Sequence, residues 1–197
     1  MPMDKKTDQH QNASPPLETL VDFVTGREVP DIGTESHRQN VERFLVIHRG
    51  YDKSDIAVDA DIAVPFPEEV YRSQLDLVVS VDGRSFMVIK CVAGALESWQ
   101  REVLSAARIY PSGPIPYAAE TDGQTAVVYD SRTGKKIGEG LAAIPDIRAA
   151  RAAVSAAAPI DIPEKRLEKE RIIFRSYDRM NIHVQRRVIA PFHNPGK

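Results

Sequence analysis

Two side chains of opposite charge stand at the open end of a short apolar hairpin, in 76-DLVVSVDGRSFMVIKCV-92. Asp76 opens the first strand and Lys90 lies near the end of the second, with Asp82-Gly83 as the turn between them. A carboxylate is an oxygen ligand for a hard cation, and an ammonium steadies charge on a phosphate. The ordinary alternative is a salt bridge between Asp76 and Lys90 on a half-exposed face.

Which residues meet depends on the turn. A two-residue loop sets Val81 against Arg84 and mixes polar and apolar residues on both faces. A three-residue loop of Val81, Asp82 and Gly83 sets Ser80 against Arg84. It gathers Leu75, Leu77, Val79, Met87, Ile89 and Cys91 on one apolar face, and Asp76, Val78, Ser80, Phe86, Val88, Lys90 and Val92 on the other. Burial patterning fixes register, so the second arrangement is favoured.

The elements around the hairpin follow from pattern and punctuation. LETLVDFVT (17–25) reads as a short helix closed by Gly26. Thr34 is a helix cap and Gly50 a stop, with Val41, Phe44, Leu45 and His48 as the apolar stripe between them. Residues 56–64 read as a strand. A helix is expected over 96–110, a second hairpin over 117–121 and 126–130, an Ala-rich helix over 146–158 and a charged helix over 164–180. The expected fold class is α/β, with α+β as the variant: a mixed central β-sheet flanked by helices. The organisation expected is a disordered tail at 1–16, a core domain at 17–145, a C-terminal helical extension at 146–187 packing on the core, and a tail at 188–197.

With 197 residues, 42% of them hydrophobic and 27% charged, the composition is that of a globular chain with one real core. The formal net charge of -2 means that any nucleic-acid surface is local. A lone cysteine, Cys91, excludes an intrachain disulfide and a cysteine-rich zinc site. No apolar run reaches membrane-spanning length and no secretory h-region opens the chain, so the expectation is a cytoplasmic protein with no membrane partner. The histidines lack metal-binding spacing, SRTGKK lacks the first glycine of a phosphate loop, and no ATP-binding motor fits in this chain.

Taken together, 35-ESHRQ-39, 50-GY-51, 72-RSQLDLVV-79 and 86-FMVIKCVA-93, in this order and spacing, resemble the N-terminal domain of type I restriction enzyme R subunits, of the PD-(D/E)xK nuclease superfamily. The resemblance implies a catalytic set of Glu35, Asp76 and Lys90, with Asp76 and Glu35 as weak metal ligands and Mg²⁺ as the cofactor if the site is active. It departs from the family where the second strand should carry Glu-x-Lys, because Lys90 holds the Glu position and Val92 the Lys position. Glu97, Glu102 and Glu120 are the carboxylates that could have migrated to replace the missing one. DNA is the partner implied, with Arg38, Gln39, Arg72, Gln100, Arg101 and Arg108 as the contacting residues. Arg101, Ser105 and Arg108 read as one stripe of the helix after the hairpin. The only concentrated positive region is 164–187, with eight Lys/Arg against four Asp/Glu, which is either a backbone-tracking surface or a paired, solvated helix. The expected function is a non-catalytic or feebly catalytic DNA-associated module. The alternatives are an active Mg²⁺-dependent endonuclease with a relocated residue, and a structural or interaction homodimer.

Overall fold

A computed structural model describes residues 18–156 and 160–189, the last nine of them by their helical backbone alone. The tail expected at 1–16 lies outside the described residues, as does 190–197. A small antiparallel pair, β1 (Thr19–Val21) and β2 (Glu28–Pro30), precedes α1 (Glu35–Arg49). There follow β3 (Ile56–Pro65), β4 (Val70–Val81), β5 (Arg84–Cys91), α2 (Gln100–Arg108), β6 (Tyr117–Thr121), β7 (Ala126–Asp130), β8 (Lys136–Glu139), α3 (Ile147–Ala156) and α4 (Glu164–Ile189). Strands β3 to β8 form one six-stranded sheet in sequence order. All its pairings are antiparallel except β5–β6, which are parallel and joined through α2. The sheet is therefore mixed, and the fold is α/β.

Helices cover both faces. On one, Val41 and Leu45 of α1 and Ala150 of α3 pack on Leu77, Val79, Met87, Ile89 and Val128. On the other, Val103, Leu104 and Ala106 of α2 and Phe174 of α4 pack on Val78, Val88, Ala118 and Tyr129. Apolar residues alternate between these cores along β5 and β7, as the two-residue period of a strand buried on both sides requires.

The β4–β5 turn differs from expectation. It is a two-residue loop, with Asp82 at φ 48° and Gly83 at φ 76°, and Val81 opposite Arg84. These are the angles of the tight hairpin turn that Asp-Gly favours. Between Ser80↔Ser85 and Val79↔Met87 the register shifts, and Phe86 is the extra residue of a β-bulge. The bulge restores the parity of a three-residue loop, so Leu77, Val79, Met87, Ile89 and Cys91 share one core as the alternation predicts. Phe86 moves into that core, and Leu75 moves out to the opposite one.

Leu75 crosses over because β3 and β4 change sides along their length. Ile56, Val58, Leu77 and Val79 serve the first core, whereas Ala60, Ile62, Val64, Tyr71 and Leu75 serve the second. The switch falls at Asp59, which has φ 50° and lies between the pairs Val58↔Leu77 and Ala60↔Leu75.

The N-terminal segment is not the expected helix. Asp22 accepts hydrogen bonds from the Thr25 backbone N–H (2.6 Å) and the Thr25 hydroxyl (2.7 Å), closing a turn that sends the chain back as β2. Strand β8, a polar edge strand without alternation, gave no pattern to read. Gly123 in the β6–β7 turn lies against α1, where a Cβ would stand 2.8 Å from the Cα of His37. No helix among the described residues is long and apolar enough to cross a membrane.

Helix α4 covers α2, which corrects the reading of Arg101, Ser105 and Arg108 as one DNA-facing stripe. Only Arg101 is exposed. Arg108 donates to Glu170 Oε1 (2.7 Å) and to the Ser131 carbonyl (2.7 Å), and Ser105 donates to Glu170 Oε2 (2.8 Å). This is a buried ion pair, so removing one partner strands the other. We expect Arg108→Met to cost about 3 kcal/mol in urea unfolding and Arg108→Met/Glu170→Met to regain most of that loss. A single-variant cost below about 1 kcal/mol would show that α4 is anchored elsewhere.

Candidate functional site

Asp76 and Lys90 stand just beyond Leu77↔Ile89, the last pair of the β4–β5 ladder, and so lie together at its open end. On the other side of Lys90 the parallel pairing sets Glu120 of β6 beside it. Both residues lie at the carboxyl ends of the two parallel strands, where open α/β sheets place their ligand sites.

The Lys90 ammonium lies 2.9 Å from Glu102 Oε1 on α2 and 5.6 Å from the centre of the Trp99 ring. Burial works against the charge on Lys90, but Asp76 and Glu102 outweigh it and hold the ammonium protonated above its ordinary range. Asp76 Oδ2 accepts the Cys91 backbone N–H at 2.6 Å, which ties its carboxylate to the end of β5. Burial raises the Glu102 pKa, and Lys90 offsets part of that rise. Glu120 is fully buried, and its Oε2 accepts the backbone N–H groups of Glu97 (2.8 Å) and Trp99 (3.2 Å). It thereby fixes the loop into α2, in which Glu97 sits at φ 72°. Of the three carboxylates considered as replacements, Glu102 contacts Lys90 directly, Glu120 braces the loop, and Glu97 pairs with Lys136 at 2.7 Å.

Val92 is 1% exposed, its N–H donates to Thr121 O (2.8 Å), and its carbonyl accepts from His37 Nδ1 (2.8 Å). The position is a packed junction between β5, β6 and α1. Cys91 is also buried, and burial with the nearby Asp76 charge pushes its thiol well up, which leaves it a packing residue.

Glu35 belongs to a second polar cluster, centred on Arg38. The Arg38 guanidinium lies 2.7 Å from Glu35, 3.2 Å from Asp22, 3.5 Å from Glu42 and 3.9 Å from Asp59. Gln39 donates to Asp22 (3.0 Å) and Glu35 (2.8 Å) and accepts the Phe23 N–H (2.8 Å). Glu42 Oε2 accepts the Val24 N–H at 3.2 Å. The cluster therefore docks the β1–β2 arm on α1. Among the described residues, no hydrogen bond or ion pair joins Glu35 to Asp76, and no group of three or more His, Cys, Asp and Glu side chains is disposed to hold a metal ion.

The six residues expected to contact DNA separate into two groups. Arg38, Gln39 and Arg108 are buried and engaged by carboxylates or backbone, so they act inside the protein. Arg72 and Arg101 are exposed, and Gln100 is half-buried with its amide donating to Gly134 O at 3.3 Å. Sequence reasoning passed over Asp22, Glu42 and Asp59, which surround Arg38. A signal for Asp22 was present, because a lone carboxylate inside the apolar run LVDFV needs a cation when buried.

Residues 33–145, more than half of the chain, match the family model described as type I restriction enzyme R protein N terminus. No curated protein matches the chain, and no solved structure does.

Glu42 gives the site a pH signature. Burial and the neighbouring Asp22 charge outweigh Arg38 and push its pKa up to about 7 from 4.5. A carboxyl group whose folded pKa is raised stabilises the fold fully below its unfolded pKa and loses that contribution as pH rises through the folded value. We therefore expect stability to fall between about pH 4.5 and pH 7 by an amount on the order of 3 kcal/mol from this group. Glu42→Gln, which keeps an acceptor for Val24, should flatten the dependence and be the more stable protein at pH 8. Urea midpoints at pH 5 and pH 8 that shift equally in both proteins would remove Glu42 as the source.

Proposed function

Because this chain belongs to the type I restriction enzyme R protein N-terminal family, we propose that it is a non-cleaving, DNA-associated module that keeps the nuclease scaffold and fills the cation position with its own lysine. The observation that carries this reading is the Lys90 ammonium, 2.9 Å from Glu102 and near Asp76. A site for Mg²⁺ requires oxygen ligands around an open position. Here a tethered monovalent cation offsets part of the carboxylate charge and occupies the place beside Glu102 that a metal ion would need. The donor set does not fit Mg²⁺ while Lys90 is charged, so no hydrolytic step is derived through a metal. DNA contact then falls to exposed cations, of which Arg72 and Arg101 come from the set the family resemblance implies. Such contacts are made to phosphates and are salt-dependent.

Lys90→Glu tests the first half. It exchanges the internal cation for a third carboxylate beside Asp76 and Glu102, and should cost about 3–5 kcal/mol in metal-free buffer. Mn²⁺ or Mg²⁺ should restore much of that loss as a rise in melting temperature, while the natural protein melts at the same temperature with and without metal. Metal-dependent plasmid nicking by the natural protein, stopped by Asp76→Ala, would instead establish an active enzyme with a relocated carboxylate. The second half is read from DNA binding across a salt series. Arg72→Ala/Arg101→Ala should weaken binding and flatten the log–log salt slope by about two units. Absence of salt-dependent binding by the natural protein would leave a structural or interaction role.

A further inference from the structure

At the other end of β5 and β6, about 20 Å along the strands from Lys90, lies an open cleft of about 710 Å³. Its rim carries two arginines, Arg84 at the start of β5 and Arg132 after β7. Both are exposed, and neither guanidinium has an ion-pair or hydrogen-bond partner among the described residues. They are unlike Arg38 and Arg108, which are ion-paired inside the protein. Ser85 and Ser112 add hydroxyls to the same wall. Among the described residues Asp130 is the one acidic residue lining the cleft, and its Oδ1 is occupied by the Thr133 N–H (2.7 Å) and hydroxyl (2.8 Å). The remaining wall is apolar, with Tyr117, Pro116 and Val154 on it.

We propose that this cleft binds a small phosphate-bearing ligand with a planar body, of the nucleoside monophosphate class. The volume is that of a small-molecule site, with an apolar wall and few convergent polar groups. Two uncommitted guanidiniums line the one cleft, and arginine binds the planar, multi-acceptor face of a phosphate in a bidentate manner. Tyr117, its ring packed on Phe86 with centroids 4.9 Å apart, and Pro116 supply apolar lining against which a flat body can lie. Asp130, with an oxygen committed to its own turn, leaves the rim with an excess of one positive charge. This site stands apart from Lys90 and Asp76, so it does not depend on the reading of those residues.

Calorimetric titration of the full chain with AMP, adenosine and inorganic phosphate separates the contributions. AMP should bind with a dissociation constant in the micromolar to low millimolar range, and adenosine and phosphate each at least tenfold more weakly. Arg84→Ala/Arg132→Ala should weaken AMP at least tenfold, with an unchanged circular dichroism spectrum, while Lys135→Ala on the neighbouring turn should not. No AMP binding at 10 mM (about 2.7 kcal/mol of free energy at 298 K) would overturn the proposal, as would binding that the double variant leaves intact. AMP and phosphate binding equally well would overturn the planar-body part and reduce the cleft to an anion site.

Discussion

A single ammonium group, that of Lys90, ties the central sheet to α2 at the carboxyl ends of the parallel strands. It projects from a central strand, pairs with a carboxylate buried on α2, and lies near an aspartate that accepts the N–H group at the end of the same strand. Buried charge is tolerated only when matched, and matching here crosses from β5 to α2. The position of α2 is therefore specified electrostatically as well as by the packing of Val103 and Ala106. The same logic recurs twice. Arg38 holds the N-terminal arm on α1, and Arg108 holds α4 on α2. In these three cases the securing cation belongs to the element beneath.

This arrangement explains which parts of the molecule were legible in the sequence. Local signals worked where local chemistry decides. Gly50 ends α1 in the left-handed conformation, as its position after Arg49 predicts, and the limits of β6 and β7 coincide with their apolar runs. The hairpin is instructive because its face assignment followed from alternation although its turn did not. A pattern of period two reports parity alone. A two-residue turn with a bulge at Phe86 has the same parity as a three-residue turn without one.

What could not be read was the fate of polar residues. Arg38 and Arg108 look like surface residues on amphipathic helices, and each is buried by another element, the preceding β1–β2 arm in one case and the sequence-distant α4 in the other. Helix α4 itself read as a charged surface helix, yet Phe174, Glu170 and Asp178 form a buried stripe on it. Propensity and periodicity carry no information about which of two charged faces meets a partner. That information resides in pairs such as Tyr71 and Asp178, joined by a 2.5 Å hydrogen bond across 107 residues.

The sequential strand order carries a consequence for how the chain reaches this structure. Strands β3 to β5 form one meander and β6 to β8 another, each closed by short turns. Short closures cost little chain entropy and form in microseconds. The parallel β5–β6 joint must await the intervening α2, and the α2–α4 contact closes a longer loop still. Contacts of this separation dominate contact order and hence the folding barrier. Lys90, Glu120 and Glu102 all lie at that joint. The residues that would matter to chemistry in such a fold are thus also those whose like charges meet only as two preformed halves come together, and an ammonium built into the strand travels with them.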